Sequence, residues 1–212
     1  MTLWSDYLCP WCYLSLDRHA LLTDLGVEVT VRPFELHPEI GPEGRLHRSD
    51  GRTIAIFESV GAECEAAGLR FRMPARTPNT NRVLQVGEFV RTAMPDAFPV
   101  LHRSLFEAHF ADGLDIGDPE VVETLVARSG ADVDAVRDAL DTNETALALN
   151  AARDLAREDG VAGTPTLVFD NGLVLPGVPP RATLERWVTR MSERATTPQR
   201  HDAGPGERAQ VR

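Results

Sequence analysis

Cys9-Pro10-Trp11-Cys12 is the stretch that most restricts what this chain can become. It follows a short apolar run, Met1 to Ser5, across a turn at Asp6 to Leu8. It opens a series of apolar residues at helical spacing: Tyr13, Leu14, Leu16, Ala20, Leu21 and Leu25. Pro10 suits the first helical position, where its missing N–H costs nothing. A strand that hands a cysteine to the first turn of a helix sets that sulfur at the positive end of the helix dipole, where thiolate is favoured over thiol. Gly26 stops the helix. Val27, Val29 and Val31 then alternate with Glu28, Thr30 and Arg32, and Pro33 to Leu36 extends the run, which predicts a second strand. Strand, helix and strand joined by short links form a βαβ unit, with parallel strands and a right-handed crossover.

From His37 to Asp50 the chain is rich in Pro, Gly and charge and reads as a loop. The strand signal then vanishes for about a hundred residues, replaced by helical patterns. These run over Thr53 to Ala67, Asn79 to Ala93, Pro99 to Phe110, Pro119 to Ser129 after Asp118, Val133 to Leu140 after Asp132, and Asn143 to Glu158 capped by Thr142. Strands resume with Thr166 to Phe169. The turn Asp170-Asn171-Gly172 returns the chain antiparallel through Leu173 to Leu175, with Asn-Gly as a type I′ signal. Pro179 and Pro180 lead into an amphipathic helix through Leu184, Trp187, Val188 and Met191. The expected organisation is an α/β domain from residues 1–41 and 146–194, interrupted by a helical insertion at 42–145. Residues 195–212 are nearly devoid of apolar side chains and read as a disordered tail.

With 212 residues, 42% of them hydrophobic, the chain has enough apolar material for one buried core. No run approaches the roughly 18 to 20 apolar residues of a membrane span. The first residues show neither the basic segment nor the apolar stretch of a secretory signal, so a cytoplasmic location is expected. A formal charge of −10 argues against nucleic-acid or anionic-membrane partners. All 22 basic residues are arginine, which excludes lysine-based catalysis.

Three cysteines are too few for a disulfide scaffold, so the C-x-x-C reads as a redox pair or half of a zinc site. Zinc needs four ligands; Cys64 stands alone and the six histidines supply no ligand spacing, so no metal is expected. Redox exchange is the stronger reading, with Cys9 as the exposed attacking sulfur and Cys12, one turn inside, as the resolving thiol. Phe57, Val60 and Cys64 fall at core spacing on one candidate helix, which makes Cys64 a packing residue. His19 and His37 read as structural or surface histidines, with a general-base role as the alternative. Asp6 and Tyr13 flank the motif, either tuning Cys9 or serving as turn and packing residues. Arg32 and Glu35 read as a local ion pair.

Taken together, a βαβ unit with C-x-x-C at the helix start, inserted helices, and Gly163-Thr164-Pro165 entering a hairpin resemble the thioredoxin-like fold in its DsbA form. More closely, Trp4-Ser5-Asp6, Cys9 to Tyr13, Arg32-Pro33-Phe34-Glu35-Leu36, Pro78-Asn79-Thr80 and Gly160 to Pro165 resemble the FrnE-type branch. That branch is cytoplasmic and related to 2-hydroxychromene-2-carboxylate isomerases and kappa-class glutathione transferases. The resemblance implies that Pro165 is cis and lies against the cysteine pair, with the Thr164 backbone open to an extended substrate. It also implies that Trp11, Thr164, Asn79 and Thr80 line the substrate cleft, unless Asn79 and Thr80 only cap the helix they precede. The implied activity is exchange with protein or small-molecule disulfides and needs no cofactor; glutathione would enter only as reductant or cosubstrate. The alternative is a glutathione-dependent isomerase or transferase. Such relatives often carry serine at the Cys9 position and need no second cysteine, so retention of both favours exchange. A redox-inert binding module would leave the pair dispensable.

Overall fold

A computed structural model describes residues 1–46 and 50–196, with side chains to Met191. Strand β1 (Thr2–Ser5) runs into helix α1 (Pro10–Asp24) and returns as β2 (Thr30–Pro33). A two-stranded ribbon, β3 (Arg45–Leu46) and β4 (Arg76–Thr77), brackets α2 (Gly51–Ala66). Helices α3 (Asn81–Ala93), α4 (Phe98–Glu107), α5 (Pro119–Arg128), α6 (Val133–Asp141) and α7 (Glu144–Glu158) follow. Strands β5 (Thr166–Val168) and β6 (Val174–Pro176) and helix α8 (Arg181–Thr196) complete the fold. The main sheet has the order β2-β1-β5-β6, with β1 parallel to β2 and antiparallel to β5. This is the α/β thioredoxin-like arrangement of a βαβ half and a ββα half, with helices inserted between them.

Alternation along β1 sends neighbouring side chains to opposite faces of the sheet. Leu3 packs with Leu21, Leu22, Val31, Leu167 and Leu184 on the α1–α8 side, and Trp4 packs with Ala152, Ala156 and Val161 beneath α7. The largest core joins α1 to the inserted helices. It holds Cys12, Tyr13 and Leu14 of α1 against Val60 and Cys64 of α2, Val83 and Leu84 of α3, and Leu105 and Phe106 of α4. The inserted helices therefore pack directly on the N-terminal turn of α1. That helix ends where expected: Gly26 takes φ 79°, its N–H reaches Thr23 O, and Val27 N–H reaches Leu22 O.

Several local expectations change. The β3–β4 ribbon interrupts the segment expected to be purely helical; its strands are only two residues long, too short to show alternation. The helix from Pro99 gives way after Glu107 to a π-helical turn, Ala108–Asp112, closed by Gly113 at φ 71°. Thr142 ends α6, and Asn143, at φ 59°, takes the N-cap position of α7 without a side-chain capping bond. The β5–β6 hairpin is antiparallel as expected but is not a type I′ turn. Gly172 N–H bonds Phe169 O, Gly172 alone takes the left-handed conformation, and Asn171 instead accepts from Leu173 N–H. Met191 is half exposed rather than on the packed face of α8. Helix α8 continues through Thr196, two residues into the expected tail; the remainder of that tail, residues 197–212, lies outside the described residues.

Candidate active site beside the Thr164–Pro165 turn

Strand pairing decides what faces the cysteines. Trp4 of β1 sits opposite Thr166 of β5, so the residues leaving β1 lie beside those entering β5. The turn at Asp6 to Cys9 thereby meets the turn at Gly163 to Pro165, in which the Thr164–Pro165 bond is cis. Cys9 occupies the N-cap of α1 with extended backbone, φ −88° and ψ 116°. Its thiol points at Thr164 O, 3.5 Å away.

The two thiols differ in kind. Cys9 is held below the ordinary thiol range, first by a hydrogen bond from the Cys12 thiol and further by the Thr164 side chain and the Cys12 N–H, against the opposing effect of burial. Cys12 is wholly enclosed and pushed well above that range, by burial first and then by its hydrogen bond and charge interaction with Cys9. Cys9 therefore ionises first, and Cys12 keeps its proton. Cys9 is not the exposed sulfur expected from the sequence: 4% of its surface is accessible, because Leu8, Pro10, Trp11 and Leu36 close around it.

Asp6, fully buried, reaches the same region. Burial pushes its carboxyl up to about 6, against the stabilising N–H groups of Leu36 (2.7 Å) and Leu8 (3.3 Å) and the Thr80 side chain. Its negative charge opposes ionisation of Cys9.

Above Cys9 opens a cleft of about 600 Å³. Trp11, Leu36, Leu46 and Ile56 give it apolar walls, and His37, Arg45 and Thr164 give it polar ones. Glu39 partly neutralises the cationic rim, at 2.8 Å from His37 and 3.8 Å from Arg45.

Of the residues singled out in the sequence, Cys9, Trp11 and Thr164 line this cleft, with Cys12 and Pro165 buried behind it. Asn79 and Thr80 are not in its lining. Asn79 Nδ2 donates to Ile40 O at 2.5 Å, tying the loop after β2 to the start of α3, and Asn79 Oδ1 accepts from Asn81 N–H. Thr80 is the N-cap residue of α3 but makes no capping bond; its buried hydroxyl lies beside Asp6 without a partner at bonding distance. Arg32 and Glu35 do not pair with each other. Arg32 lies 3.7 Å from Glu88 and Glu35 binds Arg153 at 2.5 Å: Arg32, within β2, meets α3, whereas Glu35, past the end of the strand, meets α7. His19 lies on α1 away from the cleft, lining a different groove. Tyr13 packs against Phe110 and donates to Arg70 O at 2.9 Å. Cys64 is core, with burial pushing its thiol up to about 12. The sequence reading missed Leu46 and Ile56, which stand out only in the structure, as large apolar side chains 68% and 41% exposed.

Comparison with known proteins agrees with the fold. A family model described as the DSBA-like thioredoxin domain matches residues 1–188. A probable DsbA oxidoreductase from Streptomyces coelicolor superimposes with a TM-score of 0.80 at 25% identity, covering 95% of this chain and 93% of that one. A 2-hydroxychromene-2-carboxylate isomerase structure gives 0.72 at 20% identity, covering 92% and 95%, a likeness of fold. The uncharacterised protein YwbO of Bacillus subtilis is 22% identical over 188 residues, 88% of this chain and 94% of its own. Among the described residues, no helix is long and apolar enough to cross a membrane.

Proposed function

The chain belongs to the DSBA-like thioredoxin domain family, and we propose that it carries out thiol–disulfide exchange through Cys9 and Cys12. The observation that carries this reading is the placement of two thiols one helical turn apart, Cys9 at the N-cap of α1 beside Thr164 O at the base of a cleft and Cys12 enclosed behind it, with which the opposite directions of their acidities agree. The Cys9 thiolate attacks one sulfur of a substrate disulfide, forming a Cys9–substrate bond as the second substrate sulfur leaves as thiolate. Cys12 then loses its proton and attacks Cys9 Sγ. The Cys9–Cys12 disulfide forms, the substrate leaves reduced, and two electrons have passed from the dithiol to it. The reverse sequence oxidises a dithiol substrate.

Burial sets the order of events. Cys12 stays protonated while Cys9 is free, so it does not compete for substrate. Pro165 presents no N–H, and Thr164 supplies the backbone that an extended segment would meet. We read the chain as a member of the FrnE-type branch from Trp4-Ser5-Asp6, Cys9 to Tyr13 and Gly160 to Pro165. In the cytoplasmic setting expected from the sequence, glutathione is the available reductant.

Equilibration in glutathione buffers of graded ratio tests this function. A reversible Cys9–Cys12 disulfide is expected, and Cys12→Ser should accumulate a Cys9–glutathione mixed disulfide. Failure to form the intramolecular disulfide at any ratio would remove the reading. Isomerase activity that requires glutathione and survives Cys12→Ser would replace it with the alternative chemistry.

A further inference from the structure

Tyr7 stands between β1 and the cysteines, and none of the chemistry above uses it. It is 5% exposed, and its Oη lies 3.1 Å from Nδ1 of His102 on α4, a polar pair inside the largest apolar core. Phe106 packs on the Tyr7 ring at 5.0 Å, and His102 sits between Phe98 and Phe106, each at 5.2 Å. Helix α3 passes directly over the phenol. A Cβ at Gly87 would come within 2.7 Å of Tyr7 Oη and 3.3 Å of its ring, so only glycine leaves the hydroxyl where it is.

Both partners are neutral. Burial lowers the His102 imidazole to about 3, and burial with the nearby charges of Glu88 and Asp6 raises the Tyr7 phenol. The other charged or titratable groups around the pair are His19, next to His102, and Arg91 and Arg32, which hold Glu88. A neutral buried donor and acceptor that meet each other fix a geometry, since the loss of one would leave the other's atom unsatisfied.

That geometry reaches Cys9 through one turn. Cys9 N–H bonds Asp6 O at 3.1 Å, making Tyr7 and Leu8 the two central residues of the turn that delivers the nucleophile. We propose that Tyr7, anchored by His102 and admitted by Gly87, is a positioning residue for Cys9: the inserted helices α3 and α4 hold the redox turn in register with Thr164 and the start of α1. The proposal rests on the exchange reading and assigns the helical insertion a part in it. When the anchor is lost, the donors that favour the Cys9 thiolate average over several geometries, and the thiolate becomes harder to form.

The test is the pH dependence of Cys9 alkylation in Tyr7→Phe, Gly87→Ala and the double variant Tyr7→Phe/His102→Leu, beside the unaltered protein. The double variant leaves no buried polar group unpaired and so keeps the test open should Tyr7→Phe fail to fold. Circular dichroism confirms folding at the assay temperature. An upward shift of the Cys9 midpoint by about half a pH unit or more, roughly threefold less thiolate at neutral pH, is expected in each folded variant. Lower melting temperatures with an unchanged Cys9 profile would make Tyr7 merely structural and overturn the proposal. So would a double variant whose profile returns to that of the unaltered protein, since packing alone would then position the turn. Absence of any alkylation in the unaltered protein would instead refute the exchange reading itself.

Discussion

Among the described residues three carboxylate side chains are buried, and two are treated differently from the third. Glu35, with 4% of its side chain exposed, receives Arg153 at 2.5 Å and Asn81 Nδ2 at 3.0 Å. Glu88, at 5%, is held by two bonds from Arg91, at 2.7 and 2.6 Å, with Arg32 at 3.7 Å. Asp6 is fully buried, and among the described residues no cation pairs with it; two backbone N–H groups are its closest support. Beside it the Thr80 hydroxyl is buried without a partner at bonding distance, as is the Thr164 hydroxyl next to Cys9. Away from the cleft, then, a buried charge is met by an opposite charge. Next to the thiols it is not, and this is where a fold tolerates a cost to stability in exchange for tuned ionisation.

The comparison breaks at once if the chemistry lies elsewhere. Cys9→Ser should reduce exchange with a small disulfide by at least about a thousandfold, since a sole nucleophile is lost; retained turnover would divorce the unpaired carboxylate from function. The next effect is thermodynamic. The Asp6 carboxyl titrates at about 6 folded and near 3.8 unfolded, so the folded state binds more protons between those values. Its contribution is fully favourable below the lower value and is lost as pH rises through the upper. Leu8 N–H and Leu36 N–H bond different oxygens of Asp6, so Asn would keep one of the two bonds and lose the other, while its Nδ2 could donate to Thr80. The stability of Asp6→Asn relative to the parent should therefore rise by about 2 to 3 kcal/mol from about pH 4 to above about pH 7, starting at low pH from a value lowered by the lost N–H bond, as read by urea unfolding. A stability difference between variant and parent that stays flat across that range would contradict this. The same substitution should lower the Cys9 midpoint further, by removing the opposing charge.

The paired carboxylates sharpen the contrast from the other side. Arg153→Met should cost about 1 to 3 kcal/mol, because Glu35 stays buried with its cation gone, the value being reduced by the partial exposure of Arg153. Its exchange rate should stay within about twofold of the parent's, the charge pair being structural. Smallest is Cys64→Ala, a cavity the size of one sulfur in the core, expected to cost about 1 kcal/mol with exchange unchanged. Loss of exchange there would give the third thiol a role that its burial argues against.

What could be read in the sequence was whatever local chemistry dictates. Pro10 at the helix start, Gly26 at its end and the alternation through Val31 fix α1 and its flanking strands. The order of the C-x-x-C, the inserted helices and the hairpin after Pro165 was enough for the fold. What escaped was set by distant partners or by pieces too short to carry a period. Arg32 and Glu35 are three apart, yet their charges are met by residues 56 and 118 positions away in sequence. The β3–β4 ribbon has two residues per strand, and one extra residue in the last turn of α4 makes the π turn with no compositional mark. Asp6 was noticed for its place beside the motif, but its isolation from any cation depends on how α3 and the loop after β2 close over it. Asn79 and Thr80 illustrate the reverse: they belong to the neighbourhood but support it from behind.

The central claim is that one thiol is prepared for attack while its neighbour is held in reserve. Alkylation rates of Cys9 and Cys12, resolved by peptide mass across the pH range, test it most directly. The account predicts a Cys9 midpoint below the free-thiol value of about 8.5 and a Cys12 that stays unmodified well above it while the protein is folded. Equal reactivity of the two sulfurs, or a Cys9 inert at neutral pH in the folded protein, would contradict it.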